Sequence, residues 1–174
     1  PTNRLGMPVL GPLGLLNLLE TRLGLLRAEC AHAQRVTQYR ECLKQCDTPD
    51  RFYHASFGID PIGTSASLLS WRDAWYLHGW NGEAPSGAGI RIADIAAVET
   101  AARSLLVPSI GERLVRVAEF LSRQQSKIES VELVDSIEAF PKRWKDVLAK
   151  LPVRSVRSFA PAADATTVLG KLQI

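Results

Sequence analysis

The sequence predicts a predominantly helical α/β fold with a few parallel strands, and three observations carry that prediction. Apolar residues recur at intervals of three and four along most of the chain. One short segment, around Ile128 to Asp135, alternates apolar and polar residues instead. That segment is followed by a helical pattern and a second short apolar run, a succession that suits two parallel strands joined by a right-handed helical crossover.

Residues 1–10 read as an extended lead-in in which Met7, Val9 and Leu10 could form a short strand, before Gly11 and Pro12 interrupt it. Pro12 suits the first turn of a helix, because its missing N–H would be unpaired there anyway. From there Leu15, Leu16, Leu19, Leu23 and Leu26 line one face, and Asn17, Glu20, Arg22 and Arg27 the other. A second helix is expected over residues 31–46, where Val36, Tyr39 and Leu43 repeat, with Pro49 in the segment that ends it. Residues 51–59 mix aromatic and polar side chains without a clear period. Asp60 before Pro61 is then a helix-start signal, with Thr64 as a second candidate cap.

The stretch from Ser65 to Trp80 meets no Gly or Pro before Gly79 and is apolar on more than one face, so it is expected near the middle of the fold. Asn81 to Gly89 reads as an exposed loop, followed by helices over Ile92 to Leu106 and Ile110 to Gln125, separated by Pro108. In the second of these, Leu114, Val117, Ala118 and Leu121 mark the core stripe. The alternating strand carries Ile128, Val131 and Leu133 and ends at Val134 and Asp135. Asp135 with Glu138 resembles a capping box, and Trp144, Val147, Leu148 and Leu151 form a helix stripe that Pro152 stops. Val153 to Phe159 would be the second strand. Residues 11–159 therefore form one mainly helical domain, and 160–174 a linker or surface tail.

Composition narrows the functional classes only a little. The 174 residues are 46% hydrophobic, enough for a buried core, and 21 Lys and Arg against 18 Asp and Glu leave a net charge of +3, close to ordinary for a soluble protein. The longest apolar stretch, Met7 to Leu19, is broken by Pro and Gly and is too short to span a membrane. Without the ordering of a secretory signal, a cytoplasmic location is expected. Three clustered cysteines, Cys30, Cys42 and Cys46, suit reduced thiols better than a disulfide framework. Pro1 in place of an initiating Met suggests a processed chain or a piece of a longer one.

The chemistry-bearing residues do not assemble into a catalytic pattern. Gly6, Gly11 and Gly14 lack the Lys and Ser or Thr of a phosphate loop, and Pro12 removes a donor that such a loop needs. Cys30, His32, Cys42 and Cys46 are potential zinc ligands, but Cys42 and Cys46 lie one helical turn apart rather than on a CxxC knuckle, so no metal is expected. His54 and His78 could pair with Ser56, Asp60 or Asp73, yet no nucleophile turn accompanies them. Asp94 and Glu99, five positions apart, would diverge around a helix. The remaining candidate is a basic segment, Lys142, Arg143, Lys145, Lys150, Arg154 and Arg157, which could face DNA phosphates or be a solvated helix face. Trp144 within it falls on the apolar stripe and reads as core.

Four phrases resemble a known family. GPLGLLNLLETRLGL at Gly11 to Leu25, RFYHASFGIDPIGTSASLLSWRDAWYLHGW at Arg51 to Trp80, RIADIAAVE at Arg91 to Glu99 and VELVDSIEAFPKRW at Val131 to Trp144 are similar to AddB-type bacterial proteins, in which a degenerate helicase-like region precedes a PD-(D/E)XK nuclease domain. The four phrases make up 68 of the 174 residues. The resemblance implies a degenerate P-loop helicase-like fold and a non-catalytic N-terminal segment of a DNA exonuclease used in double-strand break repair. DNA, the parent's remaining domains and a helicase subunit would be its partners, and this segment would hold no cofactor. Asp135 and Glu138 do not complete the nuclease pattern, no Walker motif is intact, and no catalytic residue carries over. A different class of reading is a helical adaptor that binds protein through Trp71, Trp75 and Trp80.

Overall fold

A computed structural model describes residues 8–26, 30–124 and 126–155, which form seven α-helices and a two-stranded parallel sheet. In chain order these are α1 (Pro12–Arg22), α2 (His32–Cys46), α3 (His54–Ile59), α4 (Pro61–Leu77), α5 (Ile90–Leu105), α6 (Ile110–Arg123), β1 (Val131–Leu133), α7 (Lys142–Leu148) and β2 (Val153–Ser155). Helix predominates, and the strand, helix, strand succession closes as a parallel pair with Val131 opposite Val153 and Leu133 opposite Ser155. No helix among the described residues is long and apolar enough to cross a membrane.

The helices start and stop where local chemistry demands. Pro12 opens α1 directly after Gly11, and Gly24, at φ 67, turns the chain away after Arg22. Leu26, expected on the core stripe, therefore lies beyond the helix end and is exposed. At α4 the Asp60 carboxylate accepts from the Gly63 N–H at 2.9 Å, so the helix begins at Pro61, and Thr64, the other candidate cap, sits inside it. That helix ends at Leu77, and Trp80 lies past a turn at Gly79, whose φ of 111 suits only glycine without strain.

Three further expectations are corrected. Residues 54–59 are helical, with Tyr53 and Phe57, four apart, both buried. The Asp135 and Glu138 capping box does not form: Ser136 caps a short 3-10 turn by accepting from the Glu138 N–H at 3.3 Å, and α7 starts later, at Lys142. A capping box forms instead at Ser109 with Glu112, at the start of α6. The first strand is shorter than the alternation suggests, confined to Val131–Leu133. Val9 and Leu10 belong to no strand, while Met7, Arg27 and the second strand's expected continuation to Phe159 lie outside the described residues.

Two apolar cores result. One gathers Val36, Tyr39 and Leu43 of α2, Tyr53, Phe57, Leu68 and Leu69, and Ile95, Val98 and Ala102 of α5. The other gathers Leu16, Leu19 and Leu23, Leu114, Val117 and Leu121 of α6, Leu133, and Trp144, Val147 and Leu148 of α7. Helix α4 belongs to both: Leu68 and Leu69 enter the first core, and Leu77 packs on the second. It touches α2, α3, α6 and α7, the middle position its two apolar faces predict.

The α4–α6 contact depends on a glycine. A Cβ at Gly111 would stand 2.7 Å from the backbone of Tyr76 and Leu77, which cannot move without displacing α4. Gly111→Ala is therefore expected to lower stability by about 1–3 kcal/mol, read as a lower urea midpoint, whereas alanine at Gly89, which meets nothing within 4 Å, should cost far less.

Candidate functional site

The most concentrated chemistry in the molecule surrounds Arg72, a fully buried arginine on α4. Its Nε and Nη2 donate to the two Glu99 carboxylate oxygens at 2.7 and 2.9 Å, and its Nη2 and Nη1 donate to those of Glu112 at 2.9 and 3.1 Å. One guanidinium thus holds α5 and α6 to α4 through two bidentate pairs. Tyr76, one turn along α4, donates its hydroxyl to Glu99 at 2.8 Å and lays its ring 4.4 Å from the guanidinium carbon. Next in sequence, Asp73 accepts from Arg35 of α2, so four helices meet in one ionic cluster.

Burial and ion pairing compete in setting the titrations here. Burial by itself would lower the Arg72 pKa, but the hydrogen bonds it donates to Glu112 and Glu99 reverse this and raise it. For Glu112, burial raises the carboxyl pKa, and the Arg72 hydrogen bond and charge, with the Ser109 cap, outweigh it and leave the carboxyl below its ordinary 4.5. Tyr76 is pushed up by burial and then by the Glu99 charge. A cluster so fully paired stabilises; it offers no free acid, base or nucleophile.

The residues weighed for acid and base chemistry are spent in the same way. Asp94 and Glu99 do diverge around α5, each to its own partners, and both are buried. Asp94 accepts from Arg51 and from the Phe52 N–H, each at 2.8 Å, and so ties α5 to the turn before α3. The His54 Nδ1 lies 3.0 Å from Asp47, Asp60 caps α4, and Asp73 is held by Arg35, so the proposed partners do not converge on Ser56 or His78. Glu20 on α1 accepts from Arg113 of α6, which also donates to Asn17 at 2.8 Å.

The cysteines stay thiols. Cys42 is buried, donates to the Gln38 carbonyl at 3.3 Å and has its pKa pushed up by burial to about 11, the opposite of a reactive or metal-binding thiolate. Among the described residues no three His, Cys, Asp or Glu side chains cluster as a metal site. Gly11 is the N-cap of α1 and Gly14 lies in its first turn, while Gly6 lies outside the described residues.

The basic segment divides into two kinds of residue. Arg143 is structural: its Nε and Nη2 donate to the carbonyls of Tyr76, Gly79 and Trp80 at 3.3, 3.0 and 3.1 Å, satisfying the C-terminal end of α4. Lys142 and Lys145 are exposed or nearly so, and each reaches one acid, Asp146 at 3.1 Å and Glu138 at 2.8 Å. Lys150 and Arg154 are exposed and form no ion pair among the described residues, and Arg157 lies outside them. Trp144, between these cations, is buried in the second core. Lys150, Arg143 and Asp146 line a shallow groove of about 220 Å³ against Ala118, Glu119 and Ser122 of α6.

Of the three tryptophans around α4, Trp75 and Trp80 stack edge to face and pack on the first core, while Trp71 is 40% exposed with Arg91 5.9 Å from its ring centroid. Neither a family model, a characterised protein nor a solved structure matches this chain.

Two outcomes follow. A carboxyl held below its unfolded value stabilises the fold while ionised, and this contribution is lost as the pH falls from about 4.5 through the lower folded value. Glu112→Gln should therefore lower stability at pH 7 and flatten its decline below pH 4.5, as measured by urea unfolding across pH. Arg143→Ala, by removing its hydrogen bonds to the half-buried carbonyls of Gly79 and Trp80, should cost about 1–3 kcal/mol, while Lys150→Ala and Arg154→Ala should stay within about 0.5 kcal/mol.

Proposed function

We propose that this chain is a non-catalytic N-terminal segment of a bacterial helicase-nuclease that acts on DNA ends in double-strand break repair, with a structural or DNA-guiding role. The observation that supports this reading most is where the four family-like phrases fall. They contain Glu20, the Arg51–Asp94 pair, Arg72 with Tyr76 and Glu99, and Arg143 with the carbonyls it holds. The resemblance therefore includes several of the polar residues that join the helices, not only apolar ones that many folds would share, although Arg35, Glu112 and Arg113 lie outside the phrases. Those polar groups are committed to packing, which suits a part whose parent carries the chemistry elsewhere.

On this reading β1 and β2 belong to a degenerate P-loop helicase-like sheet, and DNA would approach the cations left on the surface, Lys142, Lys145, Lys150 and Arg154. Exposed Lys and Arg without deep partners are the groups that exchange counterions for phosphate at little cost. The parent's other domains and a helicase subunit would be the protein partners, no cofactor would bind here, and the location would be the cytoplasm.

A second reading, a helical adaptor without a DNA role, is favoured by one observation: Trp71 stands exposed on α4 while Trp75 and Trp80 are packed away. Duplex DNA titrated at several salt concentrations separates the two. The first reading expects binding that weakens with salt, is lost on reversing Lys142, Lys145 and Lys150 to Glu, and comes with no nuclease or ATPase turnover. Turnover by this chain alone would overturn it, as would salt-insensitive behaviour unaffected by the charge reversals.

A further inference from the structure

We draw no further inference here: the strongest candidate, the exposed face of α4 around Trp71 with Arg91 beside its ring, is an unpartnered surface, and nothing in the structure shows what covers it.

Discussion

A buried guanidinium shared between two carboxylates is the constraint on which the arrangement of helices rests. Removing Arg72 and Glu99 from water, with Glu112 half-buried beside them, costs several kcal/mol per buried ion, and only geometry that pairs nearly every donor and lone pair offsets it. Here the geometry does so. Arg72 meets both oxygens of both carboxylates, Glu99 also takes the Tyr76 hydroxyl, and Glu112 also takes the Ser109 N–H at 2.7 Å. A slip of any one helix by a single turn would leave a charge buried without its partner. The network therefore specifies position more sharply than apolar packing, which tolerates sliding.

The remainder of the fold is arranged around that junction. Helix α4 must pass between the two cores to bring Arg72 to Glu99 on one side and Glu112 on the other, and the missing side chain at Gly111 lets α6 approach closely enough. The C-terminal end of α4 is finished by Arg143, so α7 is bound to the same helix by hydrogen bonds as well as by the Trp144 core. Arg113 with Glu20 and Arg51 with Asp94 repeat the device at smaller scale at the edges. The first core nevertheless keeps the hydroxyls of Tyr39 and Tyr53 buried without a hydrogen-bond partner among the described residues.

How much of this was legible in the sequence depended on whether a feature was periodic. The apolar repeats located α2, α4, α5 and α6, because burial of one face writes a 3.6-residue period into the chain. The central place of α4 followed from its second apolar face. Short elements were missed or misplaced, since α3 spans only six residues and two aromatics do not make a period, and Ser136 rather than Asp135 had the geometry to cap. The ionic junction was invisible in one dimension. Arg72 lies 27 positions from Glu99 and 40 from Glu112, so no local spacing links them. The divergence of Asp94 and Glu99 was legible from their spacing, but their burial was not, because the neighbours that cover both sides of α5 are distant in sequence. Arg143 looked like a phosphate contact for the same reason: a cation beside other cations reads as surface until its distant carbonyl partners are known.

The account's central claim is that Arg72 acts as one unit with its carboxylates rather than as a set of independent contacts. A double-mutant cycle on Arg72→Met and Glu99→Gln, measured by urea unfolding at pH 7, tests it most directly. Arg72→Met should cost about 3–5 kcal/mol by stranding the buried Glu99 charge, Glu99→Gln should cost less because Glu112 still pairs Arg72, and the double change should cost less than the sum by at least about 1.5 kcal/mol. Additive effects to within about 0.5 kcal/mol, or an Arg72→Met protein as stable as the parent, would contradict it.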